Sequence, residues 1–147
     1  MGKFGSVFSA IDNADVRFGT VTHAEGNEVE LTKSRYGAYL HSEHRPLREA
    51  AWKGLFSAYE GLNHTLAANY EGHVKSRVFM AKARGFESAL DAATYSNAIP
   101  KAVYLNLIEA IREGVEPLQR YLNLRQEALG VEQLEIWDLY APIVEPS

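Results

Sequence analysis

The 147-residue sequence contains no cysteine, which excludes disulfides and thiolate metal sites and fits a reducing compartment. Nor is there a long apolar run. No stretch approaches the ~20 consecutive residues needed to span a bilayer. The first residues, Met1-Gly2-Lys3-Phe4-Gly5-Ser6, lack the continuous apolar core of a secretory signal, so the expected location is the cytoplasm. Positive charge is not in excess: 15 Lys and Arg stand against 19 Asp and Glu, a net charge of -4. Such a chain has no global field that would draw it to nucleic acid or an anionic membrane. The short motifs of hydrolytic and phosphate chemistry are missing as well, with no HExxH, no GxSxG and no GxxxxGK loop.

What remains is an ordinary globular composition, 46% hydrophobic and 23% charged. A chain of this length buries roughly two-thirds of its unfolded surface. Residues 1–14 are flecked with Gly and Ser and read as an N-terminal arm, with an apolar patch at Val7, Phe8 and Ile11. Residues 15–147 read as a single helical domain. Val16 and Phe18, then Val29 and Leu31, alternate with polar residues around His23-Ala-Glu-Gly-Asn27, which predicts a β-hairpin over 16–31. An isolated hairpin is marginal in water, so it must pack on helices or join strands outside this sequence.

Helices follow. Thr32 caps a short one over 33–40 that carries Tyr36, Tyr39 and Leu40. Leu47, Ala51, Leu55, Ala58, Leu62, Leu66 and Asn69 recur at three- and four-residue steps, predicting a helix over 43–83. Unbroken, it would be on the order of 60 Å long. It either breaks near Gly72 or spans a larger body. Gly85 reads as its terminator, with Lys82 and Arg84 near the negative end of the helix dipole. A helix over 87–95 then starts at Glu87 or Ser88. The next runs over 100–129, kinked at Pro117, and an apolar tail occupies 134–144. The predicted fold is mainly α: long antiparallel helices with one small N-terminal β-hairpin.

Candidate chemistry is sparse. His41 and His44 are the one close histidine pair, but no third ligand accompanies them, and a solvated helix start explains them better. His23, His64 and His73 have no metal-type spacing. Lys75, Arg77, Lys82 and Arg84, interleaved with Phe79 and Phe86, spread around more than one helix face. They read as a solvated, salt-bridged surface rather than a nucleic-acid site. Arg84 differs, because a guanidinium beside a Gly break can clamp neighbouring carbonyls or a carboxylate.

Seven pieces in order carry a resemblance. They are Asp15-Val-Arg-Phe18; Gly26-Asn-Glu-Val-Glu-Leu-Thr32 with Tyr36; His44-Arg-Pro-Leu-Arg-Glu-Ala50; Ala83-Arg-Gly-Phe-Glu-Ser-Ala-Leu90; Ile99-Pro100 with Val103-Tyr104; Arg125 with Leu129-Gly130; and Trp137-Asp-Leu-Tyr140 with Pro142. From about Asp12 onward the sequence resembles the middle of the oligoendopeptidase F family. These are zinc metallopeptidases related to thimet oligopeptidase that cleave oligopeptides in a channel between helical domains. The family's HExxH helix lies beyond the matched segment, so no catalytic or metal-binding role carries over to any position here. The resemblance implies no cofactor in this chain and zinc in the full-length family. It implies structural roles for Arg84, Gly85, Phe86 and Ser88, and places Tyr36, Trp137 and Tyr140 on a channel wall or docking surface.

The expected function is that of a helical-domain fragment of a zinc-dependent oligoendopeptidase, inactive by itself. Its expected partners are an oligopeptide in the parent protein and the rest of the peptidase chain, with no nucleic acid and no membrane. Self-association of the fragment is a further expectation. The alternative is a free-standing helical interaction module that docks through Ile136 to Ile143.

Overall fold

The structure, a computed structural model, describes residues 3–144. Its elements in chain order are α1 (Lys3–Ala10), a π-helical turn (Ile11–Asp15), β1 (Thr20–Thr22), β2 (Glu28–Glu30), α2 (Lys33–Leu40), α3 (Arg45–Glu60), α4 (Asn63–Ala83), α5 (Ala89–Tyr95), α6 (Lys101–Glu113), α7 (Val115–Leu129) and a 3-10 turn (Ile136–Asp138). The chain is mainly α, with one two-stranded hairpin among the described residues. It groups into two compact units: Met1–Asp12 with His64–Leu118, and Asn13–Asn63 with Gln119–Ser147.

The second unit holds the main core. Val21, Leu31, Leu47 and Ala51 are buried together, with Phe18, Tyr36, Tyr39 and Leu55 packed around them. The hairpin reaches this core through Val21, which pairs with Val29 in an antiparallel register that sets Thr20 opposite Glu30. Its strands are shorter than the alternation of Val16 and Phe18 predicts. Gly19 turns the backbone to φ 74, so the strand begins after it and Phe18 packs from outside the ladder. Gly26, at φ 86, supplies the turn and donates its N–H to the His23 carbonyl at 2.9 Å.

Three helical boundaries differ from the sequence reading. The helix expected over 43–83 is two helices, parted at Gly61-Leu62. There Leu62 donates to the Tyr59 carbonyl at 2.9 Å and closes a tighter turn. Gly61 and Asn63 both favour helix ends over helix interiors, whereas the apolar stripe runs across the break without registering it. Gly72 breaks nothing. It lies within α4 because the Phe4 ring of α1 covers its backbone, where a Cβ would stand 2.8 Å from Cζ. The helix expected over 100–129 divides at Gly114. Pro117 cannot donate to the Glu113 carbonyl, so it sits in the first turn of α7, a place where that donor is not needed. The arm over 1–14 is also more regular than expected, since Lys3–Ala10 is helical. Of the apolar tail, Ile136–Asp138 forms the 3-10 turn.

Two glycines give opposite predictions. A Cβ on Gly54 of α3 would meet the buried Leu31 side chain at 2.9 Å and the Phe18 carbonyl at 3.5 Å, whereas Gly37 of α2 faces open space. Gly54→Val is expected to lower the urea-unfolding free energy by about 2 kcal/mol through overpacking. Gly37→Ala is expected to raise it by up to about 1 kcal/mol, because Ala loses less chain entropy in a helix.

Candidate functional site

In the second unit the sequence places charge where water is excluded. The Asp138 side chain is fully buried, and its carboxylate is held by two arginines of the first turn of α3. Arg48 Nη2 donates to Oδ1 at 2.7 Å; Arg45 Nη2 donates to Oδ2 at 2.8 Å and its Nε lies 3.1 Å from Oδ1. The two residues are three apart, so one helical face presents both forks. The Glu135 N–H adds a donor at 3.1 Å and forms part of the capping box that starts the 3-10 turn. Arg48 also donates to the carbonyls of Ser42, Glu43 and Trp137. Arg125 of α7, itself buried, donates to the carbonyls of Asp138 at 2.9 Å and Ala141 at 2.6 Å. Burial alone would raise the Asp138 carboxyl. The hydrogen bonds from Arg45 and Arg48 overcome that and hold it down at about 2.

Around this network stand the aromatic residues that the resemblance implied. The Trp137 ring lies 5.4 Å from that of Trp52, with Lys53 Nζ 5.5 Å over its face. Tyr36 and Tyr140 are neighbours: burial, then the nearby Tyr140 phenol, raise the Tyr36 hydroxyl above its ordinary value. The His41 ring rests 5.5 Å from Tyr140, and its Nδ1 is 2.8 Å from the Gly37 carbonyl. That ring is committed to packing and a backbone contact. Among the described residues no group of three or more His, Asp or Glu is arranged to hold a metal ion.

The first unit contains the junction around Arg84. Gly85, at φ 76, ends α4; Phe86 N–H reaches back to the Ala81 carbonyl at 3.0 Å, and Gly85 N–H to Lys82 at 3.0 Å. The Arg84 guanidinium stacks 5.0 Å over the Phe86 ring, so its seat is an aromatic face rather than a carboxylate. Phe86 in turn packs edge-on to Tyr95 at 5.1 Å. Ser88 caps α5: its Oγ accepts the Asp91 N–H at 3.1 Å, and its hydroxyl donates to the Asp91 carboxylate. That bond, ahead of Lys101 at 3.5 Å, lowers the Asp91 carboxyl below its ordinary range. Arg84, Gly85, Phe86 and Ser88 thus lie together at one helix junction. Lys75 of the same basic stretch pairs with Glu71. Also in this unit, Phe4 and Phe8 of α1 and Leu66 and Tyr70 of α4 line an apolar cavity of about 460 Å³. Among the described residues no helix is long and apolar enough to cross a membrane.

Sequence reasoning singled out Trp137 and Tyr140 but passed over Asp138, Arg45, Arg48 and Arg125. These four are the residues that hold the tail. Their only sequence signal was membership of the matched pieces. Acid should loosen this network. Its stabilisation is present above the ordinary Asp value of 3.8 and is lost as pH falls towards 2, a window worth about 2 kcal/mol. Asp138→Asn should flatten that part of the stability–pH curve measured by urea unfolding. Asp138→Ala should cost about 3–5 kcal/mol at pH 7, because Arg48 is left buried and unpaired.

Comparison with known proteins accounts for the pattern. Residues 38–145 match Peptidase family M3. The group B oligopeptidase PepB of Streptococcus agalactiae is 37% identical over 142 residues, 97% of this chain and 24% of that protein. Oligopeptidase PepF of Bacillus subtilis is 34% identical over 147 residues, 100% of this chain and 22% of that protein. The crystal structure of oligoendopeptidase-F from Enterococcus faecium superposes with a TM-score of 0.92 at 38% identity, covering 95% of this chain and 27% of the other. A putative peptidase from Chlamydophila abortus superposes with a TM-score of 0.91 at 30% identity, covering 97% and 24%. The chain therefore spans about a quarter of the length of the relatives it matches. With nearly three-quarters of its residues matching the family and its fold reproduced in two solved relatives, the chain belongs to Peptidase family M3.

Proposed function

We propose that this chain serves as a helical segment of an oligopeptide-cleaving zinc peptidase, forming part of the wall of an internal substrate channel and inactive by itself. One observation carries the reading: relatives named as oligopeptidases align along almost the whole chain, yet the chain spans only 24% and 22% of the two compared. The absence of HExxH from the sequence supports it, since a zinc peptidase uses that motif to hold the metal and activate water. In this reading the substrate is an oligopeptide, the metal is held by residues outside this chain, and the partner is the rest of the peptidase. The cysteine-free composition supports a cytoplasmic setting.

Two features bear on the choice between a piece of a larger body and a free-standing module. Arg125 Nε and Trp137 Nε1 are buried with no hydrogen-bond partner among the described residues, a number that complete proteins also carry. The tail's backbone is tied down at Asp138 and Ala141, which are buried, while its apolar side chains Ile136, Tyr140 and Ile143 stay open to solvent, as the docking patch of a free-standing module would. The reading is tested by assaying the purified chain against a mixture of oligopeptides with and without added Zn²⁺. No turnover above the protein-free control is expected in either condition. Robust zinc-dependent cleavage would overturn the assignment of catalysis to residues outside this chain.

A further inference from the structure

The two units differ in what holds each of them. In the second, Val21, Leu31, Leu47 and Ala51 close a core, and Asp138 ties the tail to α3 through Arg45 and Arg48. Arg125 of α7 catches the Asp138 and Ala141 carbonyls. In the first, Ile11 and Ala81 are the buried residues among those described, and Tyr70, Phe79, Leu107 and Ile111 are each more than half exposed. The 21-residue α4 buries Ala81 alone, and α5 and α6 bury nothing. Helices of these lengths draw most of their stability from packing a face rather than from propensity. Their mutual contacts lie near the surface. Asp91 of α5 meets Lys101 of α6 at 3.5 Å, a solvated pair that contributes little. Phe4 of α1 lays its ring over the Gly72 backbone and edge-on to His73 at 6.3 Å, while its carbonyl accepts from Asn69 Nδ2 at 3.2 Å.

We infer that the first unit opens as a separate cooperative piece while the second stays folded, with α1 as the strap whose release lets α4 go. Parts of a protein with few buried apolar contacts open at a lower free-energy cost than its core does. The polar ties of Asp138, Arg45, Arg48 and Arg125 all lie within the second unit, as does the core around Leu47. Opening α4, α5 and α6 therefore breaks none of them. The breaks at Gly61 and Gly114 confine the opening, because helical order propagates through consecutive residues and α3 and α7 are separate helices. Elements that move when a protein changes shape come from its less stable parts. The conformational change open to this chain thus lies in α4, α5 and α6. The inference concerns the chain by itself and does not rest on the peptidase reading.

Urea unfolding followed by two probes tests it. Both tryptophans, Trp52 and Trp137, belong to the second unit, where their rings lie 5.4 Å apart, so their fluorescence reports that unit alone. Helices α1, α4, α5 and α6 carry about half of the helical residues, so far-ultraviolet circular dichroism reports both units. The dichroism is expected to lose about half its amplitude in a first transition, with a midpoint about 1 M urea or more below the fluorescence transition. Phe4→Ala is expected to lower that first midpoint, or to abolish the transition with its amplitude already lost, and to leave the fluorescence midpoint unchanged. Without urea, the amides of α4, α5 and α6 are expected to exchange hydrogen at least about tenfold faster than those of α3. Coincident dichroism and fluorescence transitions in the wild-type chain would overturn the inference. So would a fluorescence change that comes first, a Phe4→Ala shift of both midpoints together, or equal protection of α4 and α3.

Discussion

A carboxylate without water is the constraint on which the second unit depends. Asp138 sits in the 3-10 turn near the end of the described residues, and among these it is neutralised by Arg45 and Arg48 of α3. A buried charge must find opposite charge or pay a desolvation penalty of several kcal/mol. Arg45 and Arg48 lie one helical turn apart, so their forks define a single seat for that carboxylate. Once Asp138 is seated, its neighbours have little freedom. The Trp137 carbonyl accepts from Arg48, its ring rests on Trp52, and the backbone beyond it is caught by Arg125. One polar contact thereby orders a segment whose apolar residues alone would permit many arrangements. The arginine choice matters, because a lysine ammonium could supply the charge but not the fork that also reaches three carbonyls.

The first unit obeys a different economy of contacts. Among its described residues only Ile11 and Ala81 are buried, and its helices carry Tyr70, Phe79, Met80, Val103, Leu107 and Ile111 largely open to solvent. What order it has comes from helix ends. The Gly85 reversal, the Ser88 cap and the Arg84–Phe86 stack join α4 to α5, and Asp91 links α5 to Lys101 of α6. Such contacts set the path of the backbone but do not make a core. A unit of this kind fits a family whose members are about four times as long.

The parts of the fold that were legible in the sequence are those decided within a few residues. Gly26 turns the hairpin and Ser88 caps a helix because the required conformations and hydrogen bonds are local. The stripe through Leu47 and Ala51 faces the core because helical periodicity is local too. The break at Gly61 was missed for the complementary reason. Apolar spacing continues through it, and a single weak helix former interrupts a helix in some contexts and not in others. The same holds at Gly72, where the sequence suggested a break and the Phe4 ring of α1 instead uses the missing Cβ for close approach.

The sequence by itself determined the helical class, the hairpin, the absence of metal-binding and nucleophilic motifs, and the order of pieces that marks the family. Each of these is a statement about neighbouring residues or about what is missing. Only the tertiary structure decided that Asp138 joins Arg45 and Arg48 across some ninety residues, that Tyr36 comes near enough to Tyr140 to feel its charge, and that no residue of α6 is buried. Pairing at that separation leaves no periodic trace, since any of 19 acidic residues could have met any of 15 basic ones. Which pair loses its water depends on how the chain closes, and closure is a property of the packed whole.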